Sequence, residues 1–186
     1  LIWNVFEDAK REALGVEAFV QRQVDAIIFT TPIEGRNVET ALSAHIPVIQ
    51  VERPTRIQSH KVLVDNYAGA VSATEHLINL GHKRIGYIGG DPRNYLTDLS
   101  VDEQRLSGYR DTMQNHKITP ENSWYASGKY YSIDDGYQLM EKFIKEGSIT
   151  AVIAACDILA AGALQAIYKY GLRVPEDISV VGFDDT

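Results

Sequence analysis

The sequence predicts an α/β protein built on parallel sheet with right-handed crossovers. Three observations carry this. Short Val- and Ile-rich stretches recur along the 186 residues, and several lack the polar alternation of a one-sided sheet. Amphipathic, helix-length stretches separate them, in a βαβ series. The last sixteen residues, Gly171–Thr186, compress the pattern into one unit. Gly171 is placed to end a helix in the left-handed C′ position, and Pro175 cannot continue that helix. Ile178–Val181 makes a short buried strand, Gly182 lets the backbone bend, and Asp184 and Asp185 follow at the strand's carboxyl end, where ligands sit in an open α/β sheet.

The strand candidates, in order, are Leu1–Val5, Asp25–Thr30, Pro47–Glu52, Lys61–Asp65, Arg84–Gly89, Ser123–Ala126, Thr150–Ala155 and Ile178–Val181. A helix is expected from about Glu7 to Gln23. Tyr67, Ala70, Val71, Thr74, Leu77 and Ile78 follow helical spacing, with Gly81 as the stop. Leu106, Tyr109 and Met113 mark another helix. Ser132 to Asp135 reads as an N-cap and an acidic first turn, with Tyr137, Met140, Phe143 and Ile144 behind it. Asp157 to about Tyr170 is apolar nearly all round, as a buried helix would be. Pro92–Asp102 is polar and aperiodic and reads as a loop over the binding crevice. The chain opens on a strand with nothing before it, which a missing first βα unit would explain.

Composition narrows the function classes. An apolar fraction of 45% supports a real core, not a disordered chain. The net charge of −7 argues against direct grip on a nucleic-acid backbone, which needs clustered positive charge. No apolar run reaches the roughly 20 residues of a membrane helix, and the start is not signal-like. Cys156 is the only cysteine, so no internal disulfide is possible and a reducing compartment is expected.

Several motifs, in order and correctly spaced, resemble the effector-binding core of the lactose-repressor/galactose-repressor (LacI/GalR) family. They are Val24–Ile28, Val64-Asp65-Asn66-Tyr67-Ala68-Gly69, His76-Leu77, Gly81–Gly90, Arg105-Leu106-Ser107-Gly108-Tyr109, Ala160–Leu164 and Val174–Asp185. The match is loosest in residues 1–23 and 111–149. The resemblance implies a periplasmic-binding-protein-like type I fold: two Rossmann-like parallel-sheet subdomains, joined by three crossovers, with a small molecule in the cleft. Residues 1–65 would be a partial N-terminal subdomain and residues 66–186 the C-terminal one, truncated at both ends. The helix-turn-helix headpiece, the hinge, the first βα unit and the closing return segment would be missing.

The resemblance also nominates site residues. Arg105 matches the arginine that the family points into the cleft, where its fork of donors holds hydroxyls or a carboxylate; the alternative is a surface pair with Asp102 or Glu103. Asp184 matches the acid that accepts from sugar hydroxyls, and Asp185 is read as a turn residue. Tyr130 falls near where the family often places an aromatic against the sugar ring; Tyr131 could fill that role instead, and packing is an equal alternative for either. Cys156 stands where the family usually writes Asn, and a thiol is a poor donor and acceptor. Asp157 is expected to cap the following helix or to add a polar contact. Asp65 either reaches the ligand or braces the crossover. Arg53 either lines the cleft or is exposed. His82 and Arg84 are read as solvated turn residues.

Catalysis finds little support. Phe183-Asp184-Asp185-Thr186 lacks the spacing of a phosphatase nucleophile and acid. No Gly-x-Gly-x-x-Gly turn, Walker lysine, Gly-x-Ser-x-Gly elbow or metal-ligand histidine spacing occurs, and no cofactor is expected. The expectation is a cytoplasmic, homodimeric regulator core that binds a small effector, a sugar or sugar derivative, and reaches operator DNA only through the missing headpiece. A secreted sugar receptor for a transporter is the alternative.

Overall fold

The sheets form where the β-branched runs predict them. The computed structural model describes residues 1–6, 8–90, 101–129 and 131–186. Two compact units result, one taking in Leu1–Val64 and the other opening at Asp65.

In the first unit, helix α1 (Ala9–Gln21) starts at Asp8, whose carboxylate accepts from the amides of Lys10 and Arg11. Strand β1 (Ile27–Phe29), helix α2 (Gly35–Ser43), β2 (Val48–Val51) and β3 (His60–Val62) follow, and the strands form one parallel sheet in the order β1-β2-β3. Its core is Val16, Ile27, Phe29, Val38, Ala41, Ile46 and Val48. Two buried polar side chains, neither evident from the sequence pattern, shape its turns. Glu12, on α1, accepts from the amides of Ile33 and Glu34 and from Asn37 Nδ2 (2.8 Å), so it ties the turn that leads into α2 to α1. Gln50 accepts from Thr55 and donates to the Ile57 carbonyl and Ser59, which fixes the segment between β2 and β3.

Leu1–Val5 is not a strand. Trp3 turns this segment toward α1: its indole donates to the Arg11 carbonyl at 2.9 Å, and its ring lies 2.5 Å from where a Cβ on Gly15 would stand. Residues 1–5 pair with no strand of the β1-β2-β3 sheet.

The second unit contains helix α3 (Asn66–Asn79), β4 (Ile85–Gly90), α4 (Val101–Asn115), a short 3-10 turn (Asn122–Trp124), β5 (Tyr125–Gly128), α5 (Ile133–Glu146), β6 (Ala151–Ala154), α6 (Asp157–Lys169) and β7 (Ser179–Val181). The strands are parallel in the order β5-β4-β6-β7. Every residue of β4 and β6 is buried, as the unbroken apolar runs require of strands covered on both faces. The covering layers are the α3/α4 and α5/α6 pairs. Their close approach depends on missing side chains: a Cβ on Gly108 would fall 2.6 Å from the Tyr67 carbonyl oxygen, and Cβ atoms on Gly136 and Gly162 would overlap the backbones of Leu159 and Ile133. Ser132 caps α5 by accepting from the Asp135 amide. Gly81, Gly147 and Gly171 take positive φ at helix ends, as their placement predicts for Gly81 and Gly171.

Several details differ from expectation. The predicted strand Ser123–Ala126 starts later, at Tyr125, because residues 122–124 coil into the 3-10 turn. The predicted strand Lys61–Asp65 pairs only over His60–Val62, and Asp65 instead caps α3. Of the predicted loop Pro92–Asp102, residues 101 and 102 already belong to α4, where the acidic residues at 102 and 103 favour a helix start, and the rest lies outside the described residues. Helix α6 is not covered all round: Ile158 and Tyr168 are 49% and 59% exposed. Among the described residues, no helix is long and apolar enough to cross a membrane.

His82 is not a solvated turn residue. It is half-buried, with Nδ1 3.0 Å from Thr150 Oγ1 and Nε2 3.0 Å from Ser179 Oγ, so it joins the entrances of β4, β6 and β7. Thr150 Oγ1 also approaches the Arg84 carbonyl oxygen at 3.3 Å. Burial lowers the imidazole pKa below its ordinary value. A group whose pKa is lowered on folding, and whose neutral form is the preferred one, stabilises the fold above its unfolded pKa of about 6.5. That stabilisation is lost as pH falls from there toward the folded value. Melting temperature should therefore drop between pH 7 and pH 5, and His82→Gln should flatten the profile in that window. Parallel profiles for the two proteins would show that His82 does not contribute.

Candidate functional site

The carboxyl ends of β4, β6 and β7 collect the polar residues of the second unit, and Arg105 is their centre. It lies in the second turn of α4 and is 6% exposed. A buried guanidinium needs partners, because an unpaired charge in a low-dielectric interior is costly. Arg105 Nε donates to Asn66 Oδ1 at 2.8 Å, one terminal nitrogen donates to the Ala155 carbonyl, and the other stands 3.5 Å from Asp184 Oδ1. The Phe183 ring lies against the guanidinium face, with its centroid 3.7 Å from Cζ.

Glycines make this arrangement possible. Gly108 lets α4 close on α3 at Tyr67, which brings Arg105, one turn earlier, alongside Asn66, the first residue of α3. Gly69 leaves room for Phe183, whose ring atoms lie 2.6–2.7 Å from where a Cβ would stand. Arg105 therefore sits among three segments: the start of α3, the end of β6 and the turn after β7.

A guanidinium offers five N–H donors in a planar fork. Among the described residues, Asn66, Ala155 and Asp184 take three, which leaves two. The Asp184 contact is long, and that side chain is 40% exposed, so the pair contributes about 1 kcal/mol or less and yields readily to a better partner. Asp184 and Asp185 adopt positive φ, +104° and +58°, where a non-glycine residue is strained by roughly 1–3 kcal/mol. Such outliers cluster at binding sites.

The other nominated residues fall as follows. Cys156 is 8% exposed and occupies the N-cap of α6 without capping it through its side chain. Burial raises its thiol pKa, opposed in part by the first amides of α6. Asp157 is not that cap. It is the first residue of α6, its Oδ2 accepts from the Thr186 amide and hydroxyl (2.7 and 3.0 Å), and its own amide donates to the Phe183 carbonyl, so it tethers the turn that carries Asp184. Asp65 is exposed and caps α3 by accepting from the Ala68 amide at 2.9 Å. Tyr130 lies outside the described residues. Tyr131 is half-buried, with ring carbons 3.1 Å from where a Cβ on Gly90 would stand, at the end of β4. Arg53 is half-buried in the turn after β2, in the first unit. Asn66 and Phe183 also belong to this cluster and carry no chemical signal in the sequence, although both stand inside the family-like motifs.

Comparison with known proteins agrees with the fold. A family model described as a periplasmic binding protein-like domain matches residues 74–186. The HTH-type transcriptional regulator DegA of Bacillus subtilis is 30% identical over 191 residues, which take in 100% of this chain and 55% of DegA. The ribose operon repressor of Haemophilus influenzae is 29% identical over 180 residues, 96% of this chain and 52% of the repressor. A solved structure, a sugar-binding transcriptional regulator of the LacI family from Escherichia coli complexed with phosphate, has a TM-score of 0.79 at 29% identity and covers 96% of this chain and 63% of its own. The chain spans about half the length of the curated relatives it matches.

A buried thiol with a raised pKa is mostly protonated and hidden from reagents. At pH 8, Cys156 should react with a disulfide reagent many times more slowly than free cysteine, and denaturant should abolish the difference. Equal rates in the folded protein would contradict the described environment.

Proposed function

Because the chain belongs to the LacI/GalR family, with that family's periplasmic-binding-protein-like effector-binding fold, we propose that it senses a small polar effector, a sugar or sugar derivative, held by Arg105 and Asp184. The observation that carries this is the state of Arg105: buried, locked on one edge and one face, yet with two donors to spare beside a loosely held carboxylate. Two free N–H groups and a carboxylate acceptor suit adjacent hydroxyls, which both donate and accept. The sugar-related names of two relatives support this class without naming the molecule.

In the whole protein, effector binding then biases a two-state equilibrium by its differential affinity, typically by ~1–3 kcal/mol. A helix-turn-helix headpiece beyond this chain reads operator DNA, in keeping with the acidic charge of the sensing part. A homodimer is part of the proposal. Ile133 and Ile158 are 46% and 49% exposed in the first turns of the packed α5/α6 pair, and a second copy of the chain would cover them.

A thermal-shift screen of pentoses, hexoses, disaccharides, sugar phosphates and purines tests the effector class, since a ligand that binds only the folded state raises the melting temperature. A sugar is the expected hit, and a purine as the sole hit would overturn the class. Charge-assisted hydrogen bonds are worth roughly 1.5–3 kcal/mol each, so Arg105→Ala should weaken calorimetric binding of the hit about tenfold or more, and Asp184→Asn should weaken it too. Unchanged affinity in both variants would remove the site. For the dimer, Ile158→Glu should shift sedimentation toward the monomer; a variant as dimeric as the parent would place the interface elsewhere.

A further inference from the structure

We infer that Asn66 is a positioning residue for the effector site: its side-chain oxygen sets the orientation in which Arg105 meets its ligand. The inference rests on the effector site proposed above. Asn66 is 3% exposed, and a buried side-chain amide at the first residue of a helix needs a reason. Capping is not the reason, because Asp65 already caps α3 by accepting from the Ala68 amide. The Asn66 oxygen instead accepts from Arg105 Nε at 2.8 Å.

The bond has a mechanical effect. An arginine side chain carries about 2 kcal/mol of rotamer entropy, much of which a ligand must remove if the protein has not already done so. Phe183 against the guanidinium face restricts its tilt, but stacking alone leaves the plate free to rotate in its own plane. The bond at Nε stops that rotation and commits one edge. The terminal nitrogens are then held at Ala155 and Asp184, with their remaining donors in a fixed direction. Asn66 never needs to touch the ligand to do this.

Arginine-selective nitrogen-15 labelling of the protein tests the assignment without a ligand. The Arg105 Nε–H signal, identified by its loss in Arg105→Lys, should exchange slowly with solvent. Asn66→Leu, close in volume but with no acceptor, should speed that exchange about tenfold or more, and Asn66→Asp, which keeps an acceptor at the same reach, should restore protection. Asn66→Ala takes the place of the leucine variant if that variant does not fold. With D-ribose, D-galactose and cellobiose as probes, the Kd of the tightest binder should rise about tenfold in the leucine or alanine variant and return to within about threefold in the aspartate variant. Unchanged Nε–H exchange without the acceptor, or an affinity loss that aspartate does not recover, would overturn the assignment. If none of the three sugars binds the parent protein, the choice of probe class fails, while the exchange measurement still decides the role of Asn66.

Discussion

A guanidinium that has left water must find its partners inside the protein, and Arg105 sets that demand for the second unit. The demand explains features that otherwise look unrelated. The Ala155 carbonyl, just past the end of β6, accepts from Arg105. Phe183 is aromatic where a small residue would leave the cation bare on one face. Gly69 and Gly108 have no side chains because either one would push a partner of Arg105 away. The parallel sheet supplies the rest. All four strands point the same way, so their ends open into one place, and residues far apart in sequence can serve one charge.

The site is asymmetric by design of its chemistry. The cation is buried and held firmly, whereas the anion opposite is half-exposed, strained in its backbone and loosely attached. An exchange of partners at such a pair costs the protein little, because the weakly held carboxylate loses less than a ligand gains. Asp157 anchors the same turn: it accepts from Thr186 and donates its amide to the Phe183 carbonyl, while the Asp184 side chain stays accessible.

Much of this could be read from the residues. Among the described residues, apolar, largely β-branched runs locate five strands well, and β3 and β5 in part, because burial on both faces leaves a strong signature. Glycines at 81 and 171 and the Ser132 cap locate helix ends through local geometry alone. The failures share a physical cause. Leu1–Val5 is strand-like in composition, but Trp3 docks on α1. Glu12 and His82 look like ordinary surface residues in sequence, because their partners lie 21 to 25 and 68 to 97 positions away. Family-like motifs nominate Arg105 and Asp184, and the structure brings their side chains within 3.5 Å of each other. Asn66 and Phe183 carry no such signal, since they stand in two separate segments of the sequence and nothing in either shows that one guanidinium contacts both.

The fit of Phe183 over Gly69 has an evolutionary consequence. The ring occupies the volume that any side chain at 69 would need, so neither position can drift alone. A larger residue at 69 becomes tolerable only where 183 has already shrunk, and a shrunken 183 uncovers the charge beneath it. The two positions are therefore expected to change together or not at all across descendants of this chain, and a lineage in which they have jointly departed would have had to find Arg105 a new cover.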